Sequence, residues 1–316
     1  MRTFREIIDS YKGFLVISHY SPDGDAIGCE AGLGLFLGAL GKDVWVVNED
    51  PVPQRYRFLP GTQLFMQESP PKAKYEVIFL VDASERSRVG IIGEKIPWDS
   101  KLFVNIDHHK SNSERADILF VDNTRSSCAE IVFELMKGTG YPISKEIATC
   151  LYTGLLADTG RFLFPSTDAR SLKCAYELVE LGVDPGWVAQ KAFAEDPPPK
   201  LLLMSLILST LKFENGIATM YMTQAMLEEA NALYEYTENF ASIPLTIKGV
   251  EVGIFLRERD NNRIKVSMRS RGNVDVDEIC RQFGGGGHRS AAGCIVEGRI
   301  EEVMEMLVAL VQEVMK

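Results

Sequence analysis

Leu102-Phe103-Val104-Asn105-Ile106-Asp107-His108-His109 is the stretch from which the architecture of this chain is read. An apolar run reads as a buried strand, and it ends at a carboxylate followed by two imidazoles. Adjacent histidines beside an acid at the mouth of a strand make poor packing material but a good metal site, because imidazole and carboxylate together suit divalent ions of intermediate softness. Matching ligand types recur at His19, Asp23 and Asp25, at Asp82 and at Asp158. The chain has four histidines in all, and three of them fall in these segments.

Outward from that strand, the first 190 residues alternate strand-like and helix-like patterns. Short apolar runs at 15–18, 44–47, 77–81, 102–106 and 118–121 read as strands, and 25–40, 127–137, 145–156 and 169–181 as helices. Runs without alternation predict strands covered on both faces, the signature of a parallel α/β sheet. In such sheets ligands sit beyond the carboxyl ends of the strands, where His19, Asp82 and Asp107 fall. The expected class is therefore α/β, a parallel-sheet domain (1–190) followed by a smaller α+β domain (201–316). A proline-rich linker (191–200) joins them, because Pro197, Pro198 and Pro199 stiffen the chain and cannot continue a helix. The second unit reads as a helix at 201–211, strands at 217–222, 250–256 and 264–268, and a helix at 276–283. A glycine run, a strand near 294–296 and a terminal helix follow.

Composition narrows the function. Over 316 residues, 46% hydrophobic and 25% charged content describe an ordinary globular protein. The first fifteen residues are charged and amphipathic, unlike a signal peptide. The apolar stretch 201–211 is too short to span a bilayer, so no membrane partner is expected. Six cysteines without C-x-x-C spacing read as free thiols in a reducing cytoplasm. A net charge of −10 argues against coating long nucleic acid. Yet 257–271 holds six basic residues (Arg257, Arg259, Arg263, Lys265, Arg269, Arg271) against Glu258 and Asp260, a local +4 that suits a small anion or a short strand. A solvated strand face accounts equally for the first three.

Five motifs carry the chemistry. In His19-Tyr20-Ser21-Pro22-Asp23-Gly24-Asp25, Gly24 lets a turn point two carboxylates at one centre; a helix cap alone would explain one acid but not the rest. Asp82 ends an apolar strand, Asp107-His108-His109 ends another, and Asp158 follows an apolar helix. Asp23, Asp25, Asp82, Asp107 and Asp158 could not share a pocket ionised without counter-cations. Two divalent ions about 3.5–4 Å apart would compensate them. The fifth motif, Gly284-Gly285-Gly286-Gly287-His288-Arg289, lets backbone approach a ligand and aim N–H groups at an anion. Strand alternation predicts Lys265, Ser267, Arg269 and Arg271 on one polar face. Arg125, Ser126 and Ser127 read as a helix cap rather than a phosphate contact.

These motifs, in this order, resemble the DHH phosphoesterase family, in its subfamily with a C-terminal GGGGH domain, over nearly the whole chain. The resemblance implies that the α/β unit (1–190) is a Rossmann-like parallel-sheet catalytic domain and the smaller α+β unit (201–316) a substrate-binding domain. It implies two metal ions, usually Mn²⁺, with His19, Asp23, Asp25, Asp82, His108 and Asp158 as ligands. It implies that Asp107 orients the neighbouring histidine, that His109 faces the scissile phosphate, and that Arg269, Arg271, Gly285, Gly286, Gly287 and His288 hold the distal nucleotide. RecJ-type exonucleases add an oligonucleotide-binding domain and the cyclic-dinucleotide phosphodiesterases add membrane and sensory modules, so a chain of this layout is most similar to members that degrade very short oligoribonucleotides and dephosphorylate pAp (3′-phosphoadenosine 5′-phosphate). The expected partners are short single-stranded RNA or nucleotides as substrate. Action on pApA or cyclic di-AMP, single-strand exonuclease activity, RNA against DNA preference and assembly as a homodimer stay open at this level.

Overall fold

The computed structural model describes residues 2–237, 240–259 and 262–315; Asp260 of the basic segment lies outside them. The chain divides into two units, Met1–Glu195 and Asp196–Lys316.

In the first unit α1 (Phe4–Ser10), β1 (Gly13–Ile17), α2 (Gly24–Ala39), β2 (Asp43–Val47), β3 (Phe65–Met66), β4 (Val77–Val81), β5 (Leu102–Asp107) and β6 (Ile118–Val121) precede four helices, α3 (Cys128–Thr139), α4 (Lys145–Asp158), α5 (Ala169–Glu180) and α6 (Pro185–Phe193). Among the described residues the six strands form a parallel sheet ordered β3-β2-β1-β4-β5-β6. The order reverses between β1 and β4, which opens a crevice at the carboxyl ends of those two strands.

Both faces of the sheet are dry, as the apolar runs demand. Phe14, Val16, Phe79, Val104 and Ile106 pack under α1, α3 and α4 with Leu33, Val132 and Leu151. Leu15, Ile17, Ile78, Leu80 and Phe103 face the other way, against Val89, Ile92, Ile96 and Trp98. Short 3₁₀ turns between 86 and 100, rather than a helix, cover that second face. Gly90 at φ 91° and Pro97 break any longer helical run there. Gly28 of α2 serves packing: a Cβ there would lie 2.5 Å from the Cys150 carbonyl of α4, so these helices approach almost backbone to backbone.

The second unit contains α7 (Pro198–Leu208), β7 (Lys212–Glu214), β8 (Ile217–Met222), α8 (Gln224–Glu229), β9 (Val252–Arg259), β10 (Arg263–Ser270), α9 (Val276–Arg281), β11 (Gly286–His288), β12 (Ala291–Glu297) and α10 (Ile300–Val314). Its sheet runs β11-β12-β10-β9-β8-β7, with β8 and β9 parallel and the other pairs antiparallel. Ile254, Leu256, Val266 and Met268 pack on Val303 and Leu307 of α10. On the opposite face Met220, Met222 and Phe255 meet Leu203 and Ile207 of α7.

Several expectations are corrected here. Pro198 and Pro199 open α7 instead of forming a free linker, since the first helical turn needs no N–H donors and the fixed proline φ suits it. That helix starts before residue 201 and stops at Leu208. Gly286–His288 is an edge strand rather than an open anion loop. A Cβ on Gly285 would stand 2.2 Å from the Gly293 carbonyl, and the Gly287 N–H donates to the Asp277 carboxylate at 2.7 Å. Arg271 falls beyond β10 and leaves the polar face: its Nε donates to the Val250 carbonyl at 2.8 Å and its Nη2 to that of Leu245, tying down the preceding turn. All six cysteines are free and buried. Among the described residues no helix is long and apolar enough to cross a membrane.

Candidate metal centre

The crevice between β1 and β4 gathers side chains from four chain segments. Asp23 caps α2, one oxygen accepting the Asp25 and Ala26 N–H groups at 2.9 and 3.1 Å. Asp25, in the first turn of that helix, is fully buried and accepts the Cys128 and Ala129 N–H groups at the start of α3, at 2.6 and 3.0 Å. A helix N-terminus favours such a carboxylate. Ser127 caps α3 by accepting the Glu130 N–H, as the sequence indicated for the 125–127 segment. Asp82 follows β4 directly, in the left-handed region at φ 52°, an unusual conformation for a residue with a Cβ. Asp107 ends β5, and Asp158 ends α4.

Three groups of donor atoms lie within 4.8 Å of one another: His19, Asp23 and Asp82; Asp25, His108 and Asp158; and Asp82, His108 and His109. His108 Nε2 is 3.2 Å from Asp158 Oδ2 and 3.5 Å from Asp82 Oδ1, while His19 Nε2 is 3.9 Å from Asp82 Oδ2. In both rings Nδ1 faces a backbone carbonyl, Tyr20 at 2.8 Å for His19 and Arg125 at 3.4 Å for His108. A donor N–H at Nδ1 leaves Nε2 as the lone pair, the tautomer a metal ligand requires. Asp107 departs from expectation: it grips His109, not the adjacent His108, at 2.7 Å. Asn112 holds the other Asp107 oxygen at 2.6 Å and bonds Asn105 at 2.8 Å.

The electrostatics of this cluster call for added positive charge. Burial raises the carboxyls of Asp25, Asp82 and Asp158, and neighbouring aspartates raise them further; Asp25 is pushed up to about 7. Burial and the charge of His109 lower His108, keeping it neutral and able to ligate. Burial opposes protonation of His109 too, but the hydrogen bond and charge of Asp107 prevail and raise it. Asp82 Oδ1 is buried without a hydrogen-bond partner. An orphaned carboxylate oxygen facing imidazoles, among acids that repel it, fits a site built for a cation.

A pH dependence follows for the metal-free protein. Asp25, Asp82 and Asp158 bind protons more tightly folded than unfolded, so their contribution is full below the unfolded value near 4 and is lost as pH climbs through the raised folded values. In EDTA, calorimetry is expected to give a melting temperature several degrees higher at about pH 5 than at about pH 8. A melting temperature that rises across that interval would contradict the clustering.

Sequence reasoning missed Gly154. A Cβ there would lie 2.7 Å from Asp25 Oδ1, so the glycine of α4 keeps space for the carboxylate. A glycine inside a helix one turn before a candidate ligand, Asp158, is the signal that marks it. In the second unit Arg269 is half-buried on β10, with Nη1 donating to the Met268 carbonyl at 3.0 Å. His288 is exposed at the sheet edge, its register partner Ala291 shared with Arg269.

Residues 13–155 match the N-terminal domain of the DHH family and residues 218–316 match the DHHA1 domain. The chain belongs to the DHH family of phosphoesterases. Its relatives include the bifunctional oligoribonuclease and PAP phosphatase NrnA of Thermus thermophilus, 35% identical over 318 residues that span 99% of this chain and 94% of that one. The protein of the same name from Bacillus subtilis is 27% identical, over 92% and 91% of the two chains. A crystal structure of an exopolyphosphatase-related protein from Bacteroides fragilis aligns with a TM-score of 0.90 at 29% identity, covering 98% of this chain and 94% of that one.

Proposed function

We propose that this protein is a phosphoric ester hydrolase that cuts short oligoribonucleotides to 5′-mononucleotides and converts pAp to AMP, using two divalent ions, Mn²⁺ for preference. The observation that carries this reading is the convergence of His19, Asp23 and Asp82 and of Asp25, His108 and Asp158 into two neighbouring donor sets at the β1–β4 crevice. The NrnA relatives, similar over nearly their full length, supply the substrate class.

In this reading His19 and Asp23 would hold one ion and Asp25, His108 and Asp158 the other, with Asp82 within reach of both sets. When bound, such ions supply acidified water and positive charge opposite the phosphoryl oxygens. The chain's own residues do the rest. Asp25 fixes one ligand set to the α3 N-terminus, and the Asp82 N–H donates to the Ile106 carbonyl of β5 at 2.9 Å, which ties that carboxylate to the strand end. His109 carries a proton because Asp107 supports it, and it stands to donate that proton to the alkoxide released when the P–O bond breaks. Asn112 positions Asp107, and so acts through His109. Arg269 and His288 contact the nucleotide in the second unit.

The test is a substrate panel (pAp, pApA, cyclic di-AMP and RNA of two to five residues) assayed with Mn²⁺, Mg²⁺ and Co²⁺. Release of phosphate from pAp and of mononucleotides from the short RNA is expected with Mn²⁺. Intact pAp and intact RNA under all three metals would refute the proposal.

A further inference from the structure

Residues 48–50, just beyond the carboxyl end of β2, fasten the loop that carries His19 and Asp23, and no motif above uses them. Asp50 Oδ2 accepts the Ser21 N–H at 2.6 Å. Ser21 stands midway between His19 and Asp23 in sequence and is left-handed at φ 52°, a conformation that a residue with a Cβ keeps only when its surroundings impose it. Glu49 Oε2 accepts the Ile92 N–H at 2.7 Å, which ties the same turn to the 3₁₀ segment covering the sheet. Asn48 anchors it from below. Its backbone N–H donates to the Met66 carbonyl at 3.0 Å, and its Nδ2 donates to Glu30 Oε2 at 2.8 Å.

Glu30 sits on α2, about two turns beyond Asp23. Both Glu30 and Asn48 are buried, and the remaining oxygen of each, Glu30 Oε1 and Asn48 Oδ1, has no hydrogen-bond partner. Two orphaned acceptors therefore belong to two groups that already share one hydrogen bond. A proton on Glu30 Oε1 turns one acceptor into a donor, and the Asn48 oxygen is its natural mate. An acid and a primary amide joined by two such bonds satisfy each other. An ionised Glu30 would instead leave a charge in a dry interior beside a single neutral amide, which is strongly disfavoured. Burial raises this carboxyl well above its ordinary range and only the Asn48 hydrogen bond opposes it; among the described residues no charged group on α2, β2 or the 48–50 turn adds to either effect.

We propose that Glu30 is held as the un-ionised acid, paired with Asn48 through two hydrogen bonds, and that this pair sets Asp50 and, through Ser21, the loop bearing His19 and Asp23. Glu30, Asn48 and Asp50 are positioning residues, acting on the ions through that loop alone. The ligand roles of His19 and Asp23 rest on the function proposed above; the state of Glu30 does not.

Two measurements on the full chain test this. In EDTA at neutral pH, the infrared spectrum of the wild type minus that of Glu30→Gln cancels the other carboxyls and should show the carbonyl stretch of an un-ionised acid. A carboxylate band in its place would overturn the pair. Calorimetric titration with Mn²⁺ reads the positioning. A glutamine at residue 30 can donate to Asn48 Oδ1 and accept from its Nδ2, so Glu30→Gln should keep the wild-type affinity within about twofold. Glu30→Leu removes both bonds and should weaken Mn²⁺ binding about tenfold, and Asp50→Ala about ten- to a hundredfold, the range for partners that orient metal ligands. Asp50→Asn keeps an acceptor for the Ser21 N–H and should recover most of that loss. Melting curves in EDTA check that each variant folds, and if Glu30→Leu does not, the Asp50 variants carry the test. Affinity unchanged in Asp50→Ala, or lost equally in Asp50→Asn, would overturn the positioning role. A wild type that binds no Mn²⁺ would count against the proposed function, with the infrared result for Glu30 still decisive for the pair.

Discussion

Asp82→Asn is expected to stabilise the metal-free protein and at the same time to abolish its activity. The Asp82 carboxylate is buried at a left-handed backbone position, one oxygen has no hydrogen-bond partner, and the charges of Asp25, Asp23 and Asp158 repel it. An isosteric amide removes the charge, so the apo protein should melt a few degrees higher, with the gain growing as pH rises above the ordinary aspartate range. The same change takes away the carboxylate that stands near both donor sets. Manganese at about a hundred times its dissociation constant should stabilise the wild type by about 2.7 kcal/mol, and the variant by far less. Turnover should fall by about a thousandfold or more, since several kcal/mol of transition-state stabilisation depend on the ions. Scanning fluorimetry with and without Mn²⁺ and steady-state rates on pAp read both effects. Turnover within tenfold of the wild type, or an undiminished metal-induced shift, would show that Asp82 does not join the sets.

Much of this site was readable because its chemistry resists any other explanation. A run such as Val77–Val81 is apolar without alternation, so it had to be a strand covered on both faces, and a carboxylate at its end had to meet whatever lies in the crevice. The same reasoning placed His19 and Asp107. What stayed illegible depends on contacts between segments far apart in sequence. Nothing local shows that Asp25 would bond the α3 N-terminus across a hundred residues, or that Gly154 would leave room for it. Asp107 selecting His109 over His108 turns on ring directions at a strand end and on Asn112. For Arg257 the sequence left a solvated strand face open beside an anion contact; only the 234–237 segment folding over it makes it buried. Pro197 to Pro199 read as a break because proline stops helices, yet at a first turn it starts one. The glycine run was taken for ligand contact, and the close pairing of β11 with β12 accounts for Gly285 and Gly287 by itself.

His109→Gln separates a proton donor from a metal ligand. The His109 nitrogen that faces Asp82, Nδ1 at 3.8 Å, is the one hydrogen-bonded to Asp107 at 2.7 Å, so an N–H occupies the position a lone pair would need. The expected result is a kcat lower by about 10²–10⁴ on RNA dinucleotides, with the Mn²⁺-induced melting shift retained. A ligand role predicts instead that the shift is lost along with the rate. Leaving-group chemistry sharpens the distinction. A p-nitrophenyl ester departs without help from a proton, so the variant should lose far less on that substrate than on RNA, where an alkoxide must be protonated. The pH profile supplies the sign: Asp107 raises His109, so the donor form persists to higher pH, and the rate falls as pH climbs through the raised value. Asp107→Asn withdraws that support, and the basic limb of kcat should move to lower pH while the acidic limb stays put. A profile whose basic limb does not move, or a His109→Gln variant equally impaired on both leaving groups, would remove His109 from the proton-donating role and leave it only a structural partner of Asp107.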